Sequence, residues 1–597
     1  MKERVSRLLA SRAFIVVAVL LAIVLLLPSL RVGFMMDDYT QYIWLEGGPY
    51  SQGGRVAFWD MFRFQGADRA TFHRSLDIGF WPWWSSPDLR LAFLRPVTAL
   101  THAIDHWLFR DSPALMRLES ILMYGGVVAV VGAAYRRLLG PTVVAGLALL
   151  LYAIDDAHAV TVTWIANRNA VLAALFGIAA LVMHDRAVKD GDRRARWIAP
   201  LLFAVGLLAG EAALGAGAYL FSYTVWLQKG KWTERARAFA PYVGVVVVWT
   251  ALYKLGGYGA WGGEFYIDPG HEPARFAKAF AVRLPVLLHG QWSFPPSDMW
   301  LMVPPSWRWK VLPAIVIMAL AGAVVLVFGL RKTNQNAFFA TGMLLALVPV
   351  CATFPGDRLL MFSGFGAFGL MADFITAPRD GLPHARRLLV RGLSGFFIFL
   401  HLIAAPLLFA GRGPSNSTFL HEPIERVMAS LPPSSELAGK TVVIVNTPDF
   451  LTAEYAFAAR GRRGEARPER IRNLGIAVRG RAMLRRTGEK TVELTLSEGF
   501  FQEPFSLVFR RADTPVQLGD RWEVAGMVAT VKAFTPDRKR AATVEFAFDE
   551  PVSGASFVWM TWQDHTLKVM AVPAVGEEVE VPVLDFATAM EKPKEPS

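Results

Sequence analysis

The chain has 597 residues, 53% hydrophobic and only 19% charged, with a mean hydropathy of +0.34. A soluble protein carries about a quarter charged residues, so the composition excludes a soluble globular protein and points to a polytopic membrane protein. The formal net charge is +12, but much of the lysine and arginine falls in short connectors between apolar runs, where it sets topology and meets anionic lipid; no motif supports nucleic-acid binding.

In chain order, Lys2, Arg4, Arg7 and Arg12 precede an apolar run at 13–30, long enough for a transmembrane helix. No small-x-small cleavage site follows, so the run reads as an uncleaved anchor with its N-terminus in the cytoplasm. Directly after it comes Phe34-Met35-Met36-Asp37-Asp38-Tyr39. Carboxylates at a membrane edge are costly unless they are wet, paired or functional. The first outer loop, 31–114, is rich in rings: Trp59, Phe62, Phe64, Phe72, Phe80, Trp81, Trp83 and Trp84. An interfacial belt is the leading reading of these rings, short interfacial helices suit the segment, and sugar stacking is the sharper alternative.

Further spans are expected at 115–135, 141–155 and 164–184, then a short pair at 197–210 and 212–227 turning at Gly210-Glu211. A seventh, 239–255, leads into a second outer loop, 256–310. The last four are expected at 311–330, 337–354, 359–375 and 388–410. With about eleven transmembrane helices, every basic connector falls in the cytoplasm: Arg136-Arg137, Arg186 to Arg196, Lys229 to Arg237, Arg331-Lys332, and Arg379 to Arg387. Both long loops and the C-terminal part fall outside. The single cysteine, Cys351, lies in an apolar run, which excludes an intrachain disulfide, cysteine-based zinc sites and redox pairs.

The transmembrane domain thus covers 1–410, and 411–597 is an extracytoplasmic, soluble, mostly β domain. Gly413-Pro414-Ser415-Asn416-Ser417 reads as the linker. Strands are expected at 441–446, 491–496, 522–531, 542–548 and 555–562, with one helix at 450–460. The run Arg460, Arg462, Arg463, Arg467, Arg470, Arg472 reads as a solvated face, or one resting on anionic headgroups. No internal repeat is visible.

Polar residues gather at the outer edge of the expected spans: Asp37 and Asp38; Asp155, Asp156 and His158; Trp164, Arg168 and Asn169; Glu211; Lys254; Asp357 and Arg358. Each has a plain structural reading as well. Asp155-Asp156 and Asp37-Asp38 suit solvated helix ends, and Trp164 with Arg168, spaced i, i+4, suits an interfacial anchor. Glu211 would be satisfied by a structural salt bridge. Arg358 could pair locally with Asp357 or hold a phosphate.

The order of these segments resembles the GT-C glycosyltransferases, the superfamily of protein O-mannosyltransferases and the aminoarabinose transferase of lipid A. An acidic residue or pair in the first outer loop is shared. Leu94-Arg95-Pro96-Val97-Thr98 resembles their "RP" stretch, and Trp164-Ile165-Ala166-Asn167-Arg168-Asn169 their W-x-x-G-R-x-D segment. Gly210-Glu211-Ala212-Ala213 resembles K-E-x-A, and Asp357-Arg358-Leu359-Leu360 the late acid-Arg-aliphatic stretch. The resemblance covers about 13–375; Asn167 replaces the usual Gly, Asn169 the usual Asp and Gly210 the usual Lys.

This resemblance implies a GT-C-like bundle in the bacterial cytoplasmic membrane. It implies transfer of a hexosyl or pentosyl group from a polyprenyl-phosphate sugar donor to an extracytoplasmic protein, lipid or glycan acceptor. Asp37 would be the base of an inverting transfer, with Asp38 orienting the acceptor or sharing a divalent Mg²⁺ or Mn²⁺ with it. Arg358, supported by Arg168 and Lys254, would hold the donor phosphate. Glu211, Trp164, Asp155, Asp156 and His158 would contact substrate. A transporter or flippase of lipid-linked substrates is the first alternative, although transporters favour midplane charges and inverted repeats. A non-catalytic scaffold with an outer binding domain is the second.

Overall fold

The protein is described from a computed structural model covering residues 2–47 and 57–583. The tip of the first outer loop, 48–56, and the end of the C-terminal domain, 584–597, lie outside the described residues. The chain divides into two compact units. One holds Met1–Gly33, Phe93–Gly256 and Asp268–Ser415; the other holds Phe34–Ala92, Gly257–Ile267 and Asn416–Ser597.

The first unit is helical. A helix stands wherever a span is expected, but fewer than eleven are long enough to cross. Six described helices have the length and apolarity of a membrane span: Ala13–Arg31, Pro113–Leu139, Ile165–Lys189, Trp232–Leu255, Ser306–Gly329 and His384–Ser430. A seventh is obtained if Val143–Ala153 and Ala157–Thr163, bent by 55° across a short break, form one broken span. Ala195–Ala209 and Met361–Thr376 are shorter apolar helices, and at 1.5 Å per residue they fall short of a bilayer core of about 30 Å. The chain is an integral membrane protein. Small residues let its helices close up: a Cβ on Gly215 would stand 2.7 Å from the Phe362 ring, and one on Gly177 2.8 Å from Ala216.

The expected linker is a helix. Residues His384–Ser430 are helical throughout, with π-helical turns at Phe399–Ala404 and Ser417–His421. Pro414 lies inside the α-helix Ala405–Asn416. A proline removes one backbone donor, and a π turn is a known way for a helix to absorb such a defect.

The second unit is built on three sheets. Arg63–Gln65, Arg90–Ala92 and Gly259–Trp261 make a small antiparallel sheet from both long loops. A six-stranded antiparallel sheet runs Glu578–Val581, Ala482–Arg486, Thr491–Leu496, Ala541–Phe548, Met527–Phe534, Arg521–Val524. The expected strand at 522–531 is thus a hairpin. In the third sheet Thr441–Asn446 pairs in parallel with Phe557–Gln563 and with Arg470–Gly475. Every residue of Thr441–Asn446 is buried, the pattern of a parallel strand covered on both faces. The helix Phe450–Arg462 connects it to Arg470–Gly475.

Two expectations for this unit are corrected. The loop aromatics are core residues and form no interfacial belt or sugar platform: Phe62, Phe72, Phe80, Trp81, Trp83 and Trp84 are all buried. The Trp83 ring packs edge-on against Phe501, Trp522 and Phe546, and its indole N–H donates to the Asn473 carbonyl at 3.0 Å. Only Trp59 stands well exposed among the eight. Nor is the arginine run a solvated face. Arg472 is buried and donates to the carbonyls of Leu76, Asp77 and Ala525, while Arg467 reaches that of Ile78. Both therefore bind the carbonyl end of the helix Arg69–Ile78, where the helix dipole favours cations. Arg460, also buried, does the same for the helix Glu422–Ser430 through Met428, Leu431 and Pro432. Gly79, at φ +82°, presses so closely on the Ile471 carbonyl that a Cβ would stand 1.9 Å from its oxygen.

Candidate functional site

In the helical unit, the segments singled out in the sequence converge. Arg95 Nε donates to Glu211 Oε2 at 2.8 Å, and Thr98 Oγ1 to the Ala209 carbonyl at 2.7 Å. A Cβ on Gly210 would lie 3.1 Å from the Asn169 carbonyl oxygen. Thr161 Oγ1, three residues before Trp164, donates to the Arg358 carbonyl at 3.3 Å. Lys254 pairs with Asp268 at 2.6 Å and keeps about half its side chain exposed.

Arg168 has no exposed surface and is bound on several sides: Asp105 at 2.6 Å, Glu119 at 3.4 Å, Ser120 Oγ at 2.9 Å and the Met116 carbonyl at 2.7 Å. A guanidinium buried this deeply needs its counter-ions to remain in the fold.

Asp155 and Asp156 sit in the break between Val143–Ala153 and Ala157–Thr163. They have separate fates. Asp155 is buried, with Oδ2 3.8 Å from His158 Nε2. His158 has no exposed surface, and its Nδ1 lies 2.9 Å from the Tyr124 hydroxyl and 3.1 Å from the Tyr152 carbonyl. Both are buried in the helical unit. Asp156 instead accepts from Arg412 Nη1 at 2.9 Å.

Arg412 escaped the sequence reading because it borders Gly413-Pro414-Ser415, taken as linker. Its Nη1 also donates to Asp357 Oδ2 at 2.7 Å, and its Nη2 to Asp298 Oδ2 at 2.8 Å. Three carboxylates from three distant segments thus share one guanidinium. Asp357 Oδ1 is taken by the amide and hydroxyl of Ser297, at 2.8 and 2.7 Å. Arg358, next in sequence, is half-buried; its guanidinium lies 4.7 Å from the Phe354 ring centroid and its Nε has no hydrogen-bond partner. Trp164 is half-buried, and its indole N–H is likewise unsatisfied.

In the second unit, Asp37 and Asp38 open the helix Asp37–Glu46. The residue before them, Met36, has φ 44°, a strained conformation for a side chain of its size. Asp38 is buried, and its Oδ2 accepts from the Met35 amide at 2.9 Å. Asp37 is half-buried, and its Oδ1 accepts a short hydrogen bond from the Tyr455 hydroxyl. Burial, with the Asp37 charge adding to it, holds the Tyr455 phenol well above its ordinary pKa, so it stays protonated as the donor. Around the same helix, the Tyr39 hydroxyl donates to Glu425 at 3.0 Å, and the Arg462 guanidinium lies 4.3 Å from the Phe34 ring centroid.

Among the described residues no group of three His, Cys, Asp or Glu side chains is placed to hold a metal ion, at the Asp37-Asp38 pair or elsewhere.

No family model matches the sequence, and no curated protein matches it. Solved structures that match the chain include an Archaeoglobus fulgidus oligosaccharyltransferase in the apo form, with 11% identity and a TM-score of 0.41 over 77% of this chain and 64% of that one. The archaeal oligosaccharyltransferase AglB from Archaeoglobus fulgidus, in complex with an inhibitory peptide and a dolichol-phosphate, has 11% identity and a TM-score of 0.40 over the same shares of the two chains. ArnT from Cupriavidus metallidurans bound to undecaprenyl phosphate has 12% identity and a TM-score of 0.36 over 77% of this chain and 90% of that one. The chain spans somewhat under two thirds of the oligosaccharyltransferases it matches.

Proposed function

We propose that the protein is a membrane glycosyltransferase that moves a sugar from a polyprenyl-phosphate carrier to an acceptor outside the cytoplasmic membrane. The observation that carries this reading is the convergence of the RP, W-x-x-x-R and G-E segments through Arg95–Glu211 and Asn169–Gly210, with Asp357-Arg358 beside the helix that leads into them. The acid pair at a strained helix start supports it.

In this reading the acceptor hydroxyl oxygen attacks the anomeric carbon as the bond from that carbon to the phosphate oxygen breaks. The hydroxyl proton passes to the Asp37 carboxylate, and the bonding pair leaves on the polyprenyl phosphate. The configuration at the anomeric carbon inverts. The Tyr455 hydroxyl donates to Asp37 at the start of its helix and orients the carboxylate. Arg358 offsets the charge gathering on the departing phosphate, with Lys254 supporting it. Trp164 and Glu211 contact the sugar or the acceptor. The donor class, a polyprenyl phosphate sugar, follows from the motif set.

The test is glycan and lipid profiling by mass spectrometry of envelopes from a strain lacking the protein. A sugar modification lost in that strain is expected to return with the wild-type chain and to stay absent with Asp37→Asn. Restoration by the Asp37→Asn protein would sink the mechanism.

A further inference from the structure

We infer that Arg412 is a positioning residue that fixes the turn Asp357–Leu359 and thereby presents Arg358 to the phosphate of a polyprenyl phosphate. The inference rests on the proposed role of Arg358 as phosphate ligand and extends it to a residue outside every motif of the sequence.

Both oxygens of Asp357 are engaged: Oδ1 by the Ser297 amide and hydroxyl, Oδ2 by Arg412 Nη1. The turn is therefore held from two sides. Gly356, just before it, is pressed against Asp298, where a Cβ would stand 2.8 Å from Oδ1. Asp298 is in turn bound by Arg412 Nη2 at 2.8 Å. A single guanidinium thus ties the turn, the 3-10 segment Ser297–Met302 and the break at Asp156.

Arg412 itself has little freedom. The next residue, Gly413, lies so close to its neighbours that a Cβ would stand 2.9 Å from Ser29 Cβ and 3.2 Å from Thr163 Cγ2. The helix is thereby seated against both the end of the first span and the end of the bent one. With three carboxylate partners and the Asp156 carbonyl at 3.3 Å, both terminal nitrogens of Arg412 are engaged. Arg358 has an unsatisfied Nε, and its guanidinium meets an aromatic ring. An arginine on an aromatic face keeps its N–H edge for an anion. The division of labour follows: Arg412 holds carboxylates, and Arg358 faces the phosphate.

The experiment uses the full-length protein in lipid nanodiscs, with undecaprenyl phosphate as probe and native mass spectrometry as readout. Arg358→Ala is expected to weaken binding by about tenfold or more, as loss of a charge-assisted contact should. Arg412→Gln is expected to weaken it similarly, and the double variant to be no weaker than Arg358→Ala alone, the signature of a residue acting through another. Arg412→Lys should recover part of the loss, because one ammonium can still serve Asp357.

Wild-type affinity in Arg412→Gln beside a weakened Arg358→Ala would overturn the inference and leave the Arg358 reading intact. Losses that multiply in the double variant would overturn it too, by making Arg412 a phosphate contact. Unchanged binding in Arg358→Ala would fell both readings at once. If Arg412→Gln does not fold, Ser297→Ala removes only one hydrogen bond to Asp357; it is expected to bind about threefold more weakly, and wild-type binding there would overturn the inference. A large excess of inorganic phosphate is expected not to displace the lipid, and displacement would overturn its assignment to a lipid headgroup.

Discussion

Two groups of acids, one in each compact unit, are engaged differently. In the helical unit, Asp156, Asp298 and Asp357 share the guanidinium of Arg412. In the unit built from the long loops and the C-terminal sheets, Asp37 accepts from a tyrosine hydroxyl and Asp38 from a backbone amide. The shared guanidinium ties three distant segments into a scaffold. The hydroxyl and the amide each orient one carboxylate at a helix start.

That contrast is open to breakage. Asp37→Asn is expected to cost about 10²–10⁴-fold in transfer, the usual worth of a positioned base, measured as restoration of the envelope modification. Asp156→Asn removes only one of three partners of Arg412 and should cost about tenfold or less; an equal loss would erase the distinction between the two acids. Trp83→Ala is expected to destabilise the protein by about 3–5 kcal/mol, read as a lowered thermal midpoint in detergent, because the ring joins a loop segment to the six-stranded sheet.

A pH scan sharpens the same comparison. Burial pushes both Glu454 and Glu503, in the second unit, up to about 8, against about 4.3 for a free side chain. Between those values the folded chain keeps protons that the unfolded chain has released. Their neutral burial is therefore least costly below about pH 4.3, and stability falls as pH rises toward 8. Glu454→Gln is expected to flatten part of that decline in thermal midpoint between pH 5.5 and 8.5; an unchanged slope would show Glu454 contributes nothing to it. Smallest is Tyr455→Phe, which removes one hydrogen bond to Asp37 and should lower transfer by about threefold, with little change in thermal midpoint. Full transfer by that variant would show that Asp37 needs no such orienting partner.

What the sequence made legible follows from the range of each signal. Hydropathy placed a helix at every expected span because membrane burial is written locally, residue by residue. Length and apolarity alone do not support eleven crossings among the described helices; Met361–Thr376 is short and buried among other helices. Alternation and β-branching found Thr441–Asn446 and Thr491–Leu496 with their observed bounds. The failures share one cause, a partner far along the chain. Trp83 looks like an interfacial ring until Trp522 and Phe546 are beside it. Arg472 looks solvated until the carbonyls of Leu76 and Asp77 are in view. Arg412 sits by residues whose local chemistry says loop, yet the helix persists through Pro414. At the candidate site the motif residues were legible, but which of them are enclosed was not. Arg168 and His158 have no exposed surface.

The hydrogen bond between Asp37 and Tyr455 joins residues 418 positions apart. At a synthesis rate of about 5–20 residues per second, the carboxylate emerges roughly 20–80 s before the hydroxyl that will hold it. For that interval the nascent chain carries an acid pair without its clamp, while much of the helical unit is already made. A chain cut short before residue 416 would be left in that early state permanently.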